Sequence, residues 1–228
     1  MIERILPVTV ATADTRGDTV DGRLFPAEEA VVRRATARRR REFGTVRACA
    51  RAALAGLGHP PVPILPGERG APRWPAGTVG SMTHCRGYRG AAVARSTDLA
   101  ALGIDASPDL PLPEGVLEFV AAAEEAGRVA ALLAARPSVH WDRLLFSAKE
   151  SAYKAWYPLV GGPADPSGFD VTFSAAGRAF RARPPDGGPA LLHGRWLARD
   201  GLVLTAVVAP RYSPGNGAAI AADRCATA

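Results

Sequence analysis

The stretch Phe146-Ser147-Ala148-Lys149-Glu150-Ser151-Ala152-Tyr153-Lys154 is the most informative part of this chain. Extended outward to Val139 and Tyr157, it places apolar residues at helical spacing. Trp141, Leu144, Leu145, Ala148, Ala152, Ala155 and Trp156 share one face, which must be the core side. Glu150 and Lys154 stand four residues apart on the opposite face. Taken alone, such a pair is an ordinary solvated contact worth roughly a few tenths of a kcal/mol.

Upstream, an Ala- and Glu-rich helix is predicted over 114–135 and broken by Pro137. Pro108, Pro111 and Pro113 mark a lobe boundary. Strand-like runs cover 77–83, 90–95 and 99–104, the last ending at Asp105. Before them lies a Pro- and Gly-rich loop over 63–80, too long for a simple connector and therefore a candidate binding element. Helices are predicted over 37–57, where Phe43, Val46, Ala50, Ala53, Leu54 and Leu57 recur with helical period, and from Pro26. There Glu28 and Glu29 suit the helix dipole. A first strand is read over 5–11. Downstream, strands are predicted over 169–173, 191–198 and 202–209, followed by a Gly- and Ala-rich tail from Ser213 that frays.

The 228 residues can bury one substantial core or two small packed lobes. Apolar residues make up 47% and charged residues 22%, which argues against disorder. A net charge of +6 points to an anionic partner: nucleic acid, a phosphorylated small molecule or an acidic protein. Cys49, Cys85 and Cys225 form no CxxC pair, so structural zinc is not expected and a reducing cytoplasm fits best. No stretch is long and apolar enough to span a bilayer, and 1–14 does not resemble a secretory signal.

The run 146–154 closely resembles the signature (W/F)-x-x-K-E-(S/A)-x-x-K of the Sfp-type 4'-phosphopantetheinyl transferases. Gly103-Ile104-Asp105 resembles the family's G-(I/V)-D-x-E. Gly67-Glu68-Arg69-Gly70-Ala71-Pro72 is similar to its G-(K/R)-G-x-P loop, and Ser81-Met82-Thr83-His84-Cys85 to its S-x-(T/S)-H segment. Arg39-Arg40-Arg41-Glu42-Phe43 with Arg47 resembles the Arg-rich helix of bacterial members that activate polyketide and peptide synthases. These ordered matches span about half the chain. No single residue among them outweighs its ordinary structural explanation; their order does.

The resemblance implies an α+β fold, a monomer of two similar lobes related by a pseudo-two-fold axis, each a small antiparallel sheet with helices. The lobes would cover 1–106, on the coenzyme A side, and 107–212, with the signature helix; 213–228 would be a flexible tail. It also implies magnesium-dependent transfer of 4'-phosphopantetheine from coenzyme A to a serine of an acyl or peptidyl carrier protein, in polyketide, nonribosomal peptide or fatty acid synthesis. Asp105, Ala106 and Glu150 would hold magnesium, or manganese in its place, with hard oxygen ligands. Glu150 would also act as general base, with Asp105 and Lys154 as its catalytic partners. Lys149, Lys154, Arg39, Arg47, Arg69 and His84 would meet phosphates. Gly70, Ala71, Ser81, Met82 and Thr83 would line the coenzyme site. The sequence departs from the pattern at Ser107, where the family carries a second acid; a neutral hydroxyl is the weaker metal ligand. Two other readings stay open here: a coenzyme A-binding relative without transfer activity, favoured by Ser107, and a basic nucleic-acid-binding protein. Scarce aromatic residues and the lack of a nucleic-acid module oppose the latter.

Overall fold

The computed structural model describes residues 1–18, 23–161, 165–185 and 191–211, so the expected tail from Ser213 lies outside the described residues. Helix α1 (Pro26–Val32) begins with Pro at its first turn, and the Glu28 side chain accepts the Phe25 N–H at 2.9 Å. Glu28 does more than complement a dipole. It is fully buried and accepts from Arg51 at 2.9 Å and from the Ile64 N–H at 2.8 Å. It thereby fixes the start of the Pro-rich loop. Helix α2 (Ala37–Gly56) is capped by Thr36, whose hydroxyl accepts the Arg39 N–H, and ends before Gly58, at φ +86°. Its apolar face covers a three-stranded antiparallel sheet of order β1-β3-β2, built from β1 (Ala11–Thr15), β2 (Thr78–Cys85) and β3 (Tyr88–Arg95).

A five-stranded antiparallel sheet has order β4-β8-β7-β6-β5. Its strands are β4 (Leu99–Pro108), β5 (Asp170–Ser174), β6 (Ala179–Arg183), β7 (Leu192–Arg199) and β8 (Leu202–Pro210). The β7–β8 turn is Asp200-Gly201, both at positive φ, the geometry that matches the twist of a two-residue hairpin. Helices α3 (Val116–Val120), α4 (Ala123–Ala135) and α5 (Trp141–Val160) complete the chain. Every apolar residue assigned to the core face of α5 is buried. Trp141 meets Trp196 and Phe173 edge-on, with ring centroids 5.2 and 5.5 Å apart.

The architecture is α+β with two antiparallel sheets, as expected, though the sheets differ in size. Residues 5–11 are not a strand. Residues Ile2–Ile5 form a short helical turn, Pro7 lacks the N–H a ladder needs and its carbonyl closes a turn with Val10, and β1 starts at Ala11. The helix expected over 114–135 is two helices, because Ala122 adopts an extended conformation between them. The strand ending at Asp105 continues to Pro108, paired with β8 from Ala101 onward after a bulge at Ala100. The boundary expected after residue 106 therefore falls inside β4, while the change of sheet occurs between β3 and β4. Strand β6 was not anticipated, although Phe180 and Ala182 alternate inward between exposed Arg181 and Arg183.

The two sheets meet at β2 and β4. Ala92 and Ala94 of β3 share an apolar cluster with Leu102, Ile104 and Ala106 of β4. The β4 N–H groups of Ile104 and Ala106 donate to Ser81 Oγ and Thr83 Oγ1 at 3.1 and 3.0 Å. Side chains of one sheet thus bind the backbone of the other, which fixes the seam beneath the site.

Candidate active site

Gly103 sets the geometry. A Cβ at this position would lie 2.0 Å from the Ser151 carbonyl oxygen and 2.6 Å from the Ala155 nitrogen. Only glycine lets α5 lie directly on β4, and that contact carries Glu150 and Lys154 to Asp105, two residues further along the strand. Asp105 is buried and its oxygens are well supplied with donors. Oδ1 accepts from Lys154 Nζ at 2.7 Å and from Thr83 Oγ1 at 3.3 Å, and Oδ2 accepts from Ser147 Oγ at 2.9 Å. Thr205 Oγ1 donates to the Ser147 carbonyl at 2.8 Å and lies 3.0 Å from its hydroxyl, locking that residue in turn. Lys154 Nζ also lies 3.9 Å from Glu150 Oε2, so one ammonium is flanked by two carboxylates. Burial pushes the Glu150 carboxyl above the ordinary range; Lys154 opposes the shift, and the charges of Asp105 and Asp165 add to it.

A cleft of about 620 Å³ opens above this floor, lined by α2, the 66–72 loop, β2 and α5. Glu150 and Lys154 reach it, and so do Arg39 and His84 from the opposite wall. Arg39 Nη1 lies 3.0 Å from His84 Nε2. Desolvation of the ring, then the charge of Arg39, lowers the His84 pKa, so the ring favours the neutral form that accepts from Arg39. The loop supplies Arg69, Gly70 and Ala71. Arg69 sits at φ +51° and Gly70 at φ +79°, a turn closed by the Pro66–Pro72 bridge. Met82 lines the wall beside them.

Five expected residues are engaged within the protein itself, two of them, Ser81 and Arg47, at the edge of the cleft. Lys149 does not face the cleft: it is buried against Glu125, 2.6 Å away, and donates to the Ser167 carbonyl at 2.8 Å. Ser81 reaches the edge of the cleft, but its hydroxyl is taken by the Ile104 N–H, and Thr83 is wholly engaged between Ala106 and Asp105. Arg47 borders the cleft, yet its Nε donates to the Ile64 carbonyl at 2.9 Å and its guanidinium lies over the Phe43 ring. Burial lowers its pKa to about 10 against the pull of Glu28. Ala106 offers only a backbone oxygen, since its side chain is in the core and its N–H is bound.

Other cleft residues went unassigned in the sequence. Tyr153 and Tyr157, one helical turn apart with ring centroids at 5.7 Å, flank Glu150 and Lys154. Trp74 closes the loop side, its indole N–H bound to the Gly80 carbonyl at 2.9 Å. Tyr153 lies inside the signature run, and its spacing from Tyr157 was the available signal. Among the described residues no group of three or more His, Cys, Asp or Glu side chains surrounds a common point. Asp105 and Glu150 are the hard oxygen donors that would hold a divalent cation, one or two carboxylates being its usual protein share beside phosphate oxygens and water.

Comparison with known proteins agrees with this layout. Residues 27–94 match the family model of the 4'-phosphopantetheinyl transferase N-terminal domain, and 101–207 that of the 4'-phosphopantetheinyl transferase superfamily. The division between the two models falls where the chain passes from one sheet to the other. The chain is 53% identical to the 4'-phosphopantetheinyl transferase Svp of Streptomyces mobaraensis, over 91% of this chain and 88% of that protein. It is 44% identical to Npt of Nocardia iowensis, over 91% and 99% of the two chains. With PptT of Mycobacterium tuberculosis the identity is 43%, over 91% and 97%. On matches of this extent along nearly its whole length, the chain belongs to the 4'-phosphopantetheinyl transferase family of enzymes.

Proposed function

We propose that this enzyme moves 4'-phosphopantetheine from coenzyme A to a serine hydroxyl of an acyl or peptidyl carrier protein and releases 3',5'-ADP. The observation that carries this reading is the meeting of Glu150 and Lys154, with buried Asp105 bonded to Lys154, at a cleft that Arg39, Arg69 and His84 also line. In the reaction the serine oxygen forms a bond to phosphorus, the pyrophosphate P–O bond breaks, and the serine proton passes to Glu150. A base raised by burial is better matched to a weakly acidic alcohol than an ordinary carboxylate. Lys154 neutralises the departing phosphate and supplies its proton. Asp105 holds the Lys154 ammonium in place.

Asp105 and Glu150 would hold magnesium, or manganese, which would offset negative charge on the pyrophosphate. Ser107 follows Asp105 on the same face of β4 and is buried, so any further ligand there is a neutral oxygen. On the rim, Arg39, Arg69 and His84 take the remaining phosphates, with arginine forks suited to that task. Gly70, Ala71 and Met82 border the nucleoside. The lobe that ends with β3 supplies most of the coenzyme recognition, and the lobe that begins with β4 the signature helix. The positive net charge favours encounter with an acidic carrier. We assign the reaction to a cytoplasmic monomer; no helix among the described residues is long and apolar enough to cross a membrane.

The test is an intact mass spectrum of an apo acyl carrier protein incubated with this protein, coenzyme A and magnesium. A gain of one phosphopantetheine that disappears on chelation is the expected result. Binding of coenzyme A with no gain on several carriers would replace this reading with that of a silent coenzyme A binder.

A further inference from the structure

We infer that Lys149, the first lysine of the signature run, is a positioning residue for Glu150 and does not contact the coenzyme phosphates. The inference rests on Glu150 being the base, as proposed above.

Lys149 and Glu150 are neighbours on α5, so their side chains diverge by about 100° around the helix axis. Glu150 turns to the cleft. Lys149 turns inward to α4 and β5, where its side chain and that of Glu125 are each 2% exposed. Glu125 uses both oxygens: Oε2 meets Lys149 Nζ at 2.6 Å, and Oε1 accepts the Val171 N–H at 2.6 Å. The ammonium also donates to the Ser167 carbonyl at 2.8 Å. One buried charge pair thus joins α4, α5, the helical turn Pro166–Gly168 and the start of β5.

To reach a phosphate, Lys149 would have to give up both bonds and leave a buried carboxylate without its cation, which is strongly unfavourable. Lys154 differs in access, because it can meet a phosphate at the cleft while it keeps its bond to Asp105. It is 28% exposed on its side chain, borders the cleft and already stands between two carboxylates. The two lysines of the motif therefore divide the work. Lys154 faces the chemistry, while Lys149 fixes the rotation of α5 about its axis and so the direction in which the next residue points.

The test uses K149M and the charge-free pair E125Q/K149M, in which glutamine keeps an acceptor for the Val171 N–H. Thermal unfolding, coenzyme A binding by calorimetry and transfer kinetics well below the unfolding midpoint are measured for each. K149M should lower the midpoint by roughly 10 °C and reduce kcat by roughly tenfold or more, with coenzyme A KM within about twofold of the parent. E125Q/K149M should regain most of the lost midpoint and bind coenzyme A with a Kd within about threefold of the parent. A rise of roughly tenfold or more in that Kd for E125Q/K149M would make Lys149 a phosphate ligand and overturn the inference. An undiminished kcat in K149M would also overturn it. Calorimetry needs no turnover, and the parent runs alongside in the kinetic assay. Failure of the transfer reading is thereby kept distinct from failure of this one.

Discussion

The floor and the rim of the cleft are built on opposite principles. On the floor, Asp105 is buried and three side chains donate to its two oxygens, with Thr205 holding one of those donors from behind. On the rim, the Arg39 side chain is 51% exposed, and Arg69 is exposed on a turn held by backbone hydrogen bonds and the Pro66–Pro72 bridge. A buried, fully bonded carboxylate cannot change direction without breaking several bonds, which suits a group that must be aimed before substrate arrives. Exposed arginines on a helix face and a loop can adjust to phosphates as they dock. In the proposed reaction, preorganisation would be concentrated where bonds change, and adaptability where the coenzyme is gripped.

This contrast can be broken from either side. On the floor, Glu150→Gln and Asp105→Ala should each lower the transfer rate by about 10²–10⁴-fold, the range for loss of a general base or of the charge that orients it. Parental transfer rates in a discontinuous carrier-modification assay would remove the altered residue from the mechanism. Gly103→Ala should destabilise the fold by about 3 kcal/mol, because the new methyl meets the backbone of α5. Urea unfolding measures this, and an unchanged midpoint would mean that α5 can lift from β4 at no cost. On the rim, Arg69→Ala should raise coenzyme A KM about tenfold, near 1.4 kcal/mol, with kcat changed by less than about twofold. An unchanged KM would place Arg69 outside the coenzyme site. The smallest effect is expected for Ser107→Glu, which should lower the magnesium concentration for half-maximal rate by roughly severalfold. No change would show that the position contributes no ligand.

The floor was more legible in sequence than the rim. The helical period of 139–157 gave the buried face of α5 residue by residue, and the spacing of Glu150 and Lys154 placed them together. Gly103 and Asp105 were visible as a motif, but not the reason for the glycine, a close approach of helix to strand that only three-dimensional packing reveals. Lys149 was read as a phosphate contact, whereas the structure pairs it with Glu125, 24 residues away on another helix. Ser81 and Thr83 were assigned to the coenzyme, whereas β2 runs along the seam between sheets and spends their hydroxyls on β4. In each case the residue type was noticed correctly, and the missing information was which side of its element it occupied. Periodicity resolves that for apolar residues, which have one place to go. It does not resolve it for polar ones, whose partners are distant in sequence.

The most direct test is a single-turnover experiment on E150Q with coenzyme A bound, an apo carrier protein in excess and intact mass as the readout. Calorimetry on the same sample measures coenzyme A affinity. The account predicts near-parental affinity with the carrier left unmodified over a period in which the parent enzyme completes its turnover. Modification by E150Q at the parental rate would contradict it, and the base would have to be sought elsewhere in the cleft.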